Sequence, residues 1–214
     1  MLPNCVKPWV KSAFAGLFVA LAACHGGVQP GKPPLKEGFI CCNLHYEDDW
    51  ISDGNYAGLP MVSAGTPVKL YSYGRERADV LIAGKPFRLG HDYGRSEESL
   101  QQWVGKVVVT ADPKLKIEEY SPAVKEAIRV GKVMPGMTKE QVIISLGYPL
   151  TSENASLNAP IWRYWLSSFD EYQILWGKNG IVQEVVAEPT VKTRVVFQPG
   201  QPDPGSVTAP KGNQ

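Results

Sequence analysis

Apolar and polar positions alternate along this chain in two different rhythms. Strand-like runs dominate the first part, and short helical stripes followed by longer strands dominate the second. Phe39-Ile40-Cys41-Cys42-Asn43-Leu44 is an apolar run that predicts a first strand. Residues 48–61 contain Asp53-Gly54, Asn55, Gly58 and Pro60 and read as loop. Three strand-like pieces follow at 68–73, 78–82 and 85–89, separated by a Gly74 turn and an Ala83-Gly84 turn. Short strands with tight glycine turns predict a small antiparallel β unit, closed by residues 90–95. Residues 96–103 predict a short helix, with Ser96 as N-cap and Glu97 and Glu98 in its first turn. Residues 107–109 predict a last strand, and Ala111-Asp112-Pro113 ends the unit.

The second part opens with a polar connector at 114–120. Ser121 and Pro122 start a helix with Val124, Ala127 and Ile128 on one face, and Gly131 stops it. Local signals are densest over residues 131–149, GKVMPGMTKEQVIISLGYP. Met134-Pro135-Gly136-Met137 is a turn, and Thr138 with Gln141 forms a capping box. Met137 and Val142 staple the helix entry, Val142, Ile143 and Leu146 form its apolar stripe, and Gly147 and Pro149 end it. A helix this short is not stable alone and must be packed. Strands are predicted at 161–166, 171–176 and 181–187, the last two joined at Lys178-Asn179-Gly180. Residues 190–197 predict an added edge strand. The predicted class is α+β: an α-α-β-β-β two-layer domain after a small antiparallel β domain.

The N-terminus bears on compartment. Lys7 and Lys11 precede an apolar segment at 13–23, about half the ~20 residues a membrane-spanning helix needs, so it reads as a secretion signal. Leu21-Ala22-Ala23-Cys24 resembles the bacterial lipobox. That resemblance implies cleavage before Cys24 and acylation of its sulfur and amine. Two or more acyl chains make a lasting anchor, and His25 in place of Asp favours the outer membrane. Residues 24–38 are rich in Gly and Pro and form a tether reaching roughly 45 Å at ~3.3 Å per residue. The expected organisation is therefore signal 1–23, tether 24–38, β domain 39–112, α+β domain 113–197 and disordered tail 198–214.

Residues 133–186 resemble the BamE (SmpA/OmlA) domain of small outer-membrane lipoproteins. The matching positions are Gly131-Lys132-Val133, Gly136-Met137-Thr138, Glu140-Gln141-Val142, Leu146-Gly147-Tyr148-Pro149, Trp162 with Tyr164, and the strand–Gly180–strand close. The resemblance implies a periplasm-facing, non-enzymatic subunit that helps assemble β-barrels in the outer membrane. A secreted β-lactamase inhibitor protein shares the α-α-β-β-β fold, so fold alone does not fix the partner. The strand order of the first unit, with GTPVKLYSYG as its most telling piece, resembles a bacterial SH3-like barrel. That unit is additional to the BamE pattern and implies an alternative role in cell-wall or peptide binding.

Composition narrows the chemistry. The 214 residues carry a formal charge of +1, and loss of residues 1–23 removes two lysines and no acid, leaving −1. No basic excess exists for nucleic acid. The expected partners are the outer membrane through the lipid anchor, envelope or barrel-assembly proteins, and, in the alternative, peptidoglycan. No cofactor, metal or catalytic residue is predicted. Trp162, Tyr164 and Trp165 are candidates for a partner surface, with Tyr172 and Trp176 beside them. Alternation sets Trp162 and Tyr164 on one face and Arg163 and Trp165 on the other. Tyr71 and Tyr73, with Tyr93 and Trp103, are candidates for a wall- or peptide-binding groove. For Cys41 and Cys42 three arrangements stay open: one thiol buried and one at the surface, a disulfide, or a reactive thiol. His45 near Cys42, Asp48 and Asp49 lacks a standard metal-ligand spacing. His91-Asp92 lies in a glycine-flanked turn, where Asp commonly bonds its own backbone.

Overall fold

The protein is described by a computed structural model that covers residues 32–200. The expected signal segment, Cys24, the start of the tether and most of the tail lie outside the described residues. The elements in chain order are β1 (Lys36–Ile40), β2 (Leu44–His45), β3 (Trp50–Ser52), β4 (Met61–Val62), β5 (Pro67–Tyr73), β6 (Arg77–Ile82), β7 (Lys85–Gly90), α1 (Leu100–Val107), β8 (Val108–Val109), α2 (Pro113–Ile117), α3 (Pro122–Arg129), α4 (Lys139–Leu146), β9 (Ile161–Trp165), β10 (Glu171–Trp176), β11 (Val182–Ala187) and α5 (Pro189–Val195). The class is mixed α+β. A six-stranded sheet runs in the order β3-β7-β6-β5-β1-β8, a three-stranded antiparallel sheet in the order β11-β10-β9, and β2 pairs with β4.

In the first half, the strand pieces at 68–73, 78–82 and 85–89 form the antiparallel meander β5-β6-β7. Three residues that composition assigns to the tether, Lys36, Glu37 and Gly38, belong instead to β1 and pair with Leu70, Lys69 and Val68. The segment that reads as loop at 48–61 contains β3, whose fully buried Ile51 lies opposite Leu89 in a parallel pairing with β7. The helix expected from Ser96 begins at Leu100. Ser99 and Gln102 form a capping box there, and Leu100, Trp103, Val104 and Val107 supply the buried stripe. Cys41 and Cys42 are both buried and joined by a disulfide, their Cα atoms 3.8 Å apart, so the arrangement with one surface thiol is not adopted.

In the second half, α3 and α4 precede the β9-β10-β11 meander. Thr138 and Gln141 make the capping box, and Met137 and Val142 are both fully buried. Ala127 and Ile128 of α3, Val142 and Leu146 of α4, and Val191 and Val195 of α5 form one core with Trp162, Tyr172 and Ile174. Two segments expected to be connector and edge strand are helical. Asp112 caps α2 with Pro113 in its first turn. The β-branched run expected as an edge strand is α5: Pro189 starts it, and Val191 and Val195 face the core one turn apart. Tertiary burial of that pair outweighs the strand propensity of its neighbours.

Helix α4 lies between the halves, and this widens its buried surface beyond the predicted stripe. Ile144 and Ser145 are buried as well, whereas Ile143 is half-buried. The Ile144 carbonyl accepts from the Asn43 N–H at 2.9 Å. The Asn43 side chain donates to the carbonyls of Ile128 at 2.6 Å and Ser145 at 3.0 Å, and accepts from the Ala64 N–H at 3.0 Å. Asn55 accepts from the His45 N–H at 2.6 Å and donates to the carbonyls of Leu146 at 2.6 Å and Asn43 at 3.2 Å. Both asparagines are buried, and each pairs with main-chain groups from both sides of the joint.

Candidate interaction surface

The three-stranded sheet has one face under α3, α4 and α5. Trp162, Tyr164 and Leu166 point inward from β9 and its end, and Tyr172, Ile174 and Trp176 from β10. Trp162 meets Trp176 edge-on at 4.6 Å, and Tyr164 stacks on Tyr172 at 5.8 Å. The Tyr164 hydroxyl donates to the Gly147 carbonyl at 3.1 Å, and burial raises its pKa. Trp162 and Tyr164 are therefore core residues and not a partner surface. Inward alternation puts them under the helices, where they are 0% and 5% exposed.

The opposite face carries Ile161, Arg163 and Trp165 from β9, Glu171, Gln173 and Leu175 from β10, and Val186 from β11. Their cross-strand registers place Gln173 between Arg163 and Val186, Ile161 beside Leu175, and Trp165 beside Glu171. Ile161 is 46% and Val186 44% exposed, and Trp165 is half-buried. Trp165 Nε1 donates to Glu153 at 2.8 Å, which fixes the indole, and Arg163 lies 3.3 Å from Glu171. In the turn between β9 and β10, Phe169 is 93% exposed. A phenylalanine in the polar sequence Ser167-Ser168-Phe169-Asp170 is a signal that strand patterning overlooks.

Much of the sheet's edges is engaged. Asn154 imitates a strand against β9, accepting from the Arg163 N–H at 2.8 Å and donating to its carbonyl at 3.1 Å. The N–H groups of Ala57 and Gly58 donate to the carbonyls of Trp165 and Leu166 at 3.1 and 2.8 Å. On the far side, Gly136 donates to the Val182 carbonyl at 2.9 Å, and Val182 donates to the Met137 carbonyl at 2.8 Å. A partner of this sheet thus meets side chains more readily than free backbone.

The candidates of the first half do not converge. Leu70 pairs with Val80 but Ser72 pairs with Asp79, so Tyr71 is the extra residue of a bulge. The phase changes there. Ser72 bonds Asp79 on the outer side, while Tyr73 lies opposite the buried Ala78 at the rim. Tyr71 and Tyr73 therefore do not line one groove. Trp103 is buried and stacks on His91 at 5.5 Å. Tyr93 is 48% exposed and bonded to the Tyr56 hydroxyl at 3.0 Å, which pushes its pKa up to about 12.

The His91 side chain is shut off from solvent, 2% exposed. Its Nε2 lies 2.8 Å from the Glu98 carbonyl and its Nδ1 2.8 Å from the Asp53 carboxylate. The same Asp53 carboxylate accepts from the N–H groups of Asp92, Tyr93 and Gly94 at 3.0, 3.2 and 2.8 Å. Asp53 and His91 pin the 90–95 loop in place. Among the described residues no group of three His, Cys, Asp or Glu side chains converges as a metal cluster, and no helix is long and apolar enough to cross a membrane. Comparison with protein-family models, curated proteins and solved structures returns no match.

Proposed function

We propose that this chain is an outer-membrane-anchored, periplasm-facing lipoprotein of the BamE-like type, and that it acts as a non-enzymatic accessory subunit in outer-membrane protein assembly. Lipid on Cys24 holds it at the membrane. An SH3-like β unit precedes the BamE-like α+β unit, and the outer face of the β9-β10-β11 sheet docks an envelope protein of the assembly apparatus. The observation that carries this reading is that face, where Ile161 and Val186 are exposed and Trp165 and Leu175 half-buried among Arg163, Gln173 and Glu171, while the helices cover the other side. Apolar anchors within a polar rim suit a protein contact. The order of two helices followed by a three-strand antiparallel meander supports the BamE-like resemblance, as does the Leu21-Ala22-Ala23-Cys24 motif.

The test is copurification from detergent-solubilised membranes. The wild-type chain is expected to bring down an envelope assembly protein, and Phe169→Ser combined with Trp165→Ala is expected to lose it. Recovery of no envelope protein by the wild type would remove the scaffold reading. A Cys24→Ser chain is expected to leave the washed membrane fraction, and retention there would remove the lipid anchor.

A further inference from the structure

His45 sits at the joint between the halves, 5% exposed. Its Nδ1 lies 2.8 Å from the Leu59 carbonyl oxygen. A carbonyl only accepts, so Nδ1 carries the hydrogen and the lone pair resides on Nε2. Nε2 is itself buried and makes no hydrogen bond to protein among the described residues. Buried nitrogens without a partner are rare and point to a water or an ion. Burial also lowers the imidazole pKa and favours the neutral ring.

A second group faces the same place. Met61 is the register partner of His45 in the β2–β4 pair, so the two side chains share one face of that ladder. Both approach Gly131, which has φ +65° and no side chain. A Cβ there would meet Met61 Sδ at 2.9 Å and His45 Nε2 at 3.9 Å. The Nε2 edge of the imidazole and a thioether sulfur thus both border the space above one glycine. Met61 is only half-buried, which leaves a path from solvent along its side chain.

We propose that His45 Nε2 and Met61 Sδ form a two-ligand site for a soft monovalent cation, copper(I). The donor set selects the ion. A thioether is a soft ligand that favours copper(I), and a closed-shell monovalent ion accepts low coordination numbers. Structural zinc takes four N, S or carboxylate ligands. The Nδ1–Leu59 hydrogen bond is the outer contact that typically orients a metal-binding imidazole. No redox step is involved, only reversible coordination.

The experiment titrates silver(I), a redox-silent stand-in for copper(I), into the full lipidated protein in detergent. Free thiols are alkylated beforehand, and calorimetry and histidine ¹⁵N resonances are followed. The wild type is expected to take up one ion with a shift of the His45 Nε2 resonance. Met61→Leu keeps the side-chain volume and is expected to weaken binding at least tenfold with an unchanged thermal midpoint. His45→Gln is expected to abolish it. No uptake by the wild type would overturn the site and leave Nε2 to a buried water. Uptake unchanged in Met61→Leu would equally overturn it, whatever the folding of the His45 variant.

Discussion

The Asn55 side chain occupies the space that a side chain at Gly147 would need: a Cβ there would lie 2.4 Å from Asn55 Nδ2. Gly147 ends α4 with φ +81° and ψ 176°, a region that essentially only glycine enters. This lets Asn55 come within 2.6 Å of the Leu146 carbonyl and cap a helix in the other half of the molecule. Gly147→Ala combines backbone strain with a clash and is expected to cost about 2 kcal/mol or more. Asn55→Ala strands the His45 N–H and two carbonyls and is expected to cost about 2–4 kcal/mol. Because the two residues share one contact, the double variant should lose less than the sum of the two single losses. Urea unfolding of the four proteins measures this, and simple additivity would deny the coupling.

Asp53 and His91 join the 48–61 segment to the loop after β7, with both side chains 2% exposed. Removing the carboxylate takes the acceptor from buried main-chain donors, so Asp53→Ala is expected to cost about 2–4 kcal/mol. Three loop N–H groups lose their acceptor at the same time. Hydrogen exchange at residues 92–94 should accelerate in that variant before global unfolding. Unchanged protection there would deny the pin.

The two kinds of aromatic residue around β9 should separate stability from contact. Trp162 is fully buried, and Trp162→Ala is expected to cost about 3–5 kcal/mol. Phe169 is 93% exposed, and Phe169→Ser should change stability by no more than about 0.5 kcal/mol while weakening partner capture. Thermal melts alongside copurification read both quantities. A large loss of stability in Phe169→Ser would mean that this ring belongs to the fold.

Burial lowers the pKa of His45 below the ordinary 6.5. Below that unfolded value, the unfolded chain binds a proton that the folded chain resists. The contribution of His45 is therefore fully present above about pH 6.5 and is lost as the pH falls through the lower folded value. His45→Gln should flatten this part of the stability profile between neutral and mildly acidic pH. Chemical denaturation midpoints across that range test it, and an identical slope in the variant would refute the assignment.

The meander β5-β6-β7, helices α3 and α4, and strands β9 to β11 were legible in the sequence because their signals are local. Glycine turns, Thr138 with Gln141, and strict alternation act within a few residues. The same alternation separated Trp162 and Tyr164 from Arg163 and Trp165, but it could not say which set the helices would cover. Tyr71 and Tyr73 also look alike in sequence, until pairing with β6 places a bulge between them. Residues 48–61 read as loop because Asp, Asn, Gly and Pro favour turns. Only long-range contacts make β3 and the Asn55 cap out of them.

By itself, then, the sequence determined which segments are helix or strand wherever a cap, a turn residue or a period acts over one or two turns of chain. The tertiary structure alone decided which sheet face is free, that α5 is a helix, and that His45, Met61 and Gly131 meet. Those outcomes depend on burial and hydrogen bonding between residues distant in the chain, and no local pattern encodes which distant partner arrives.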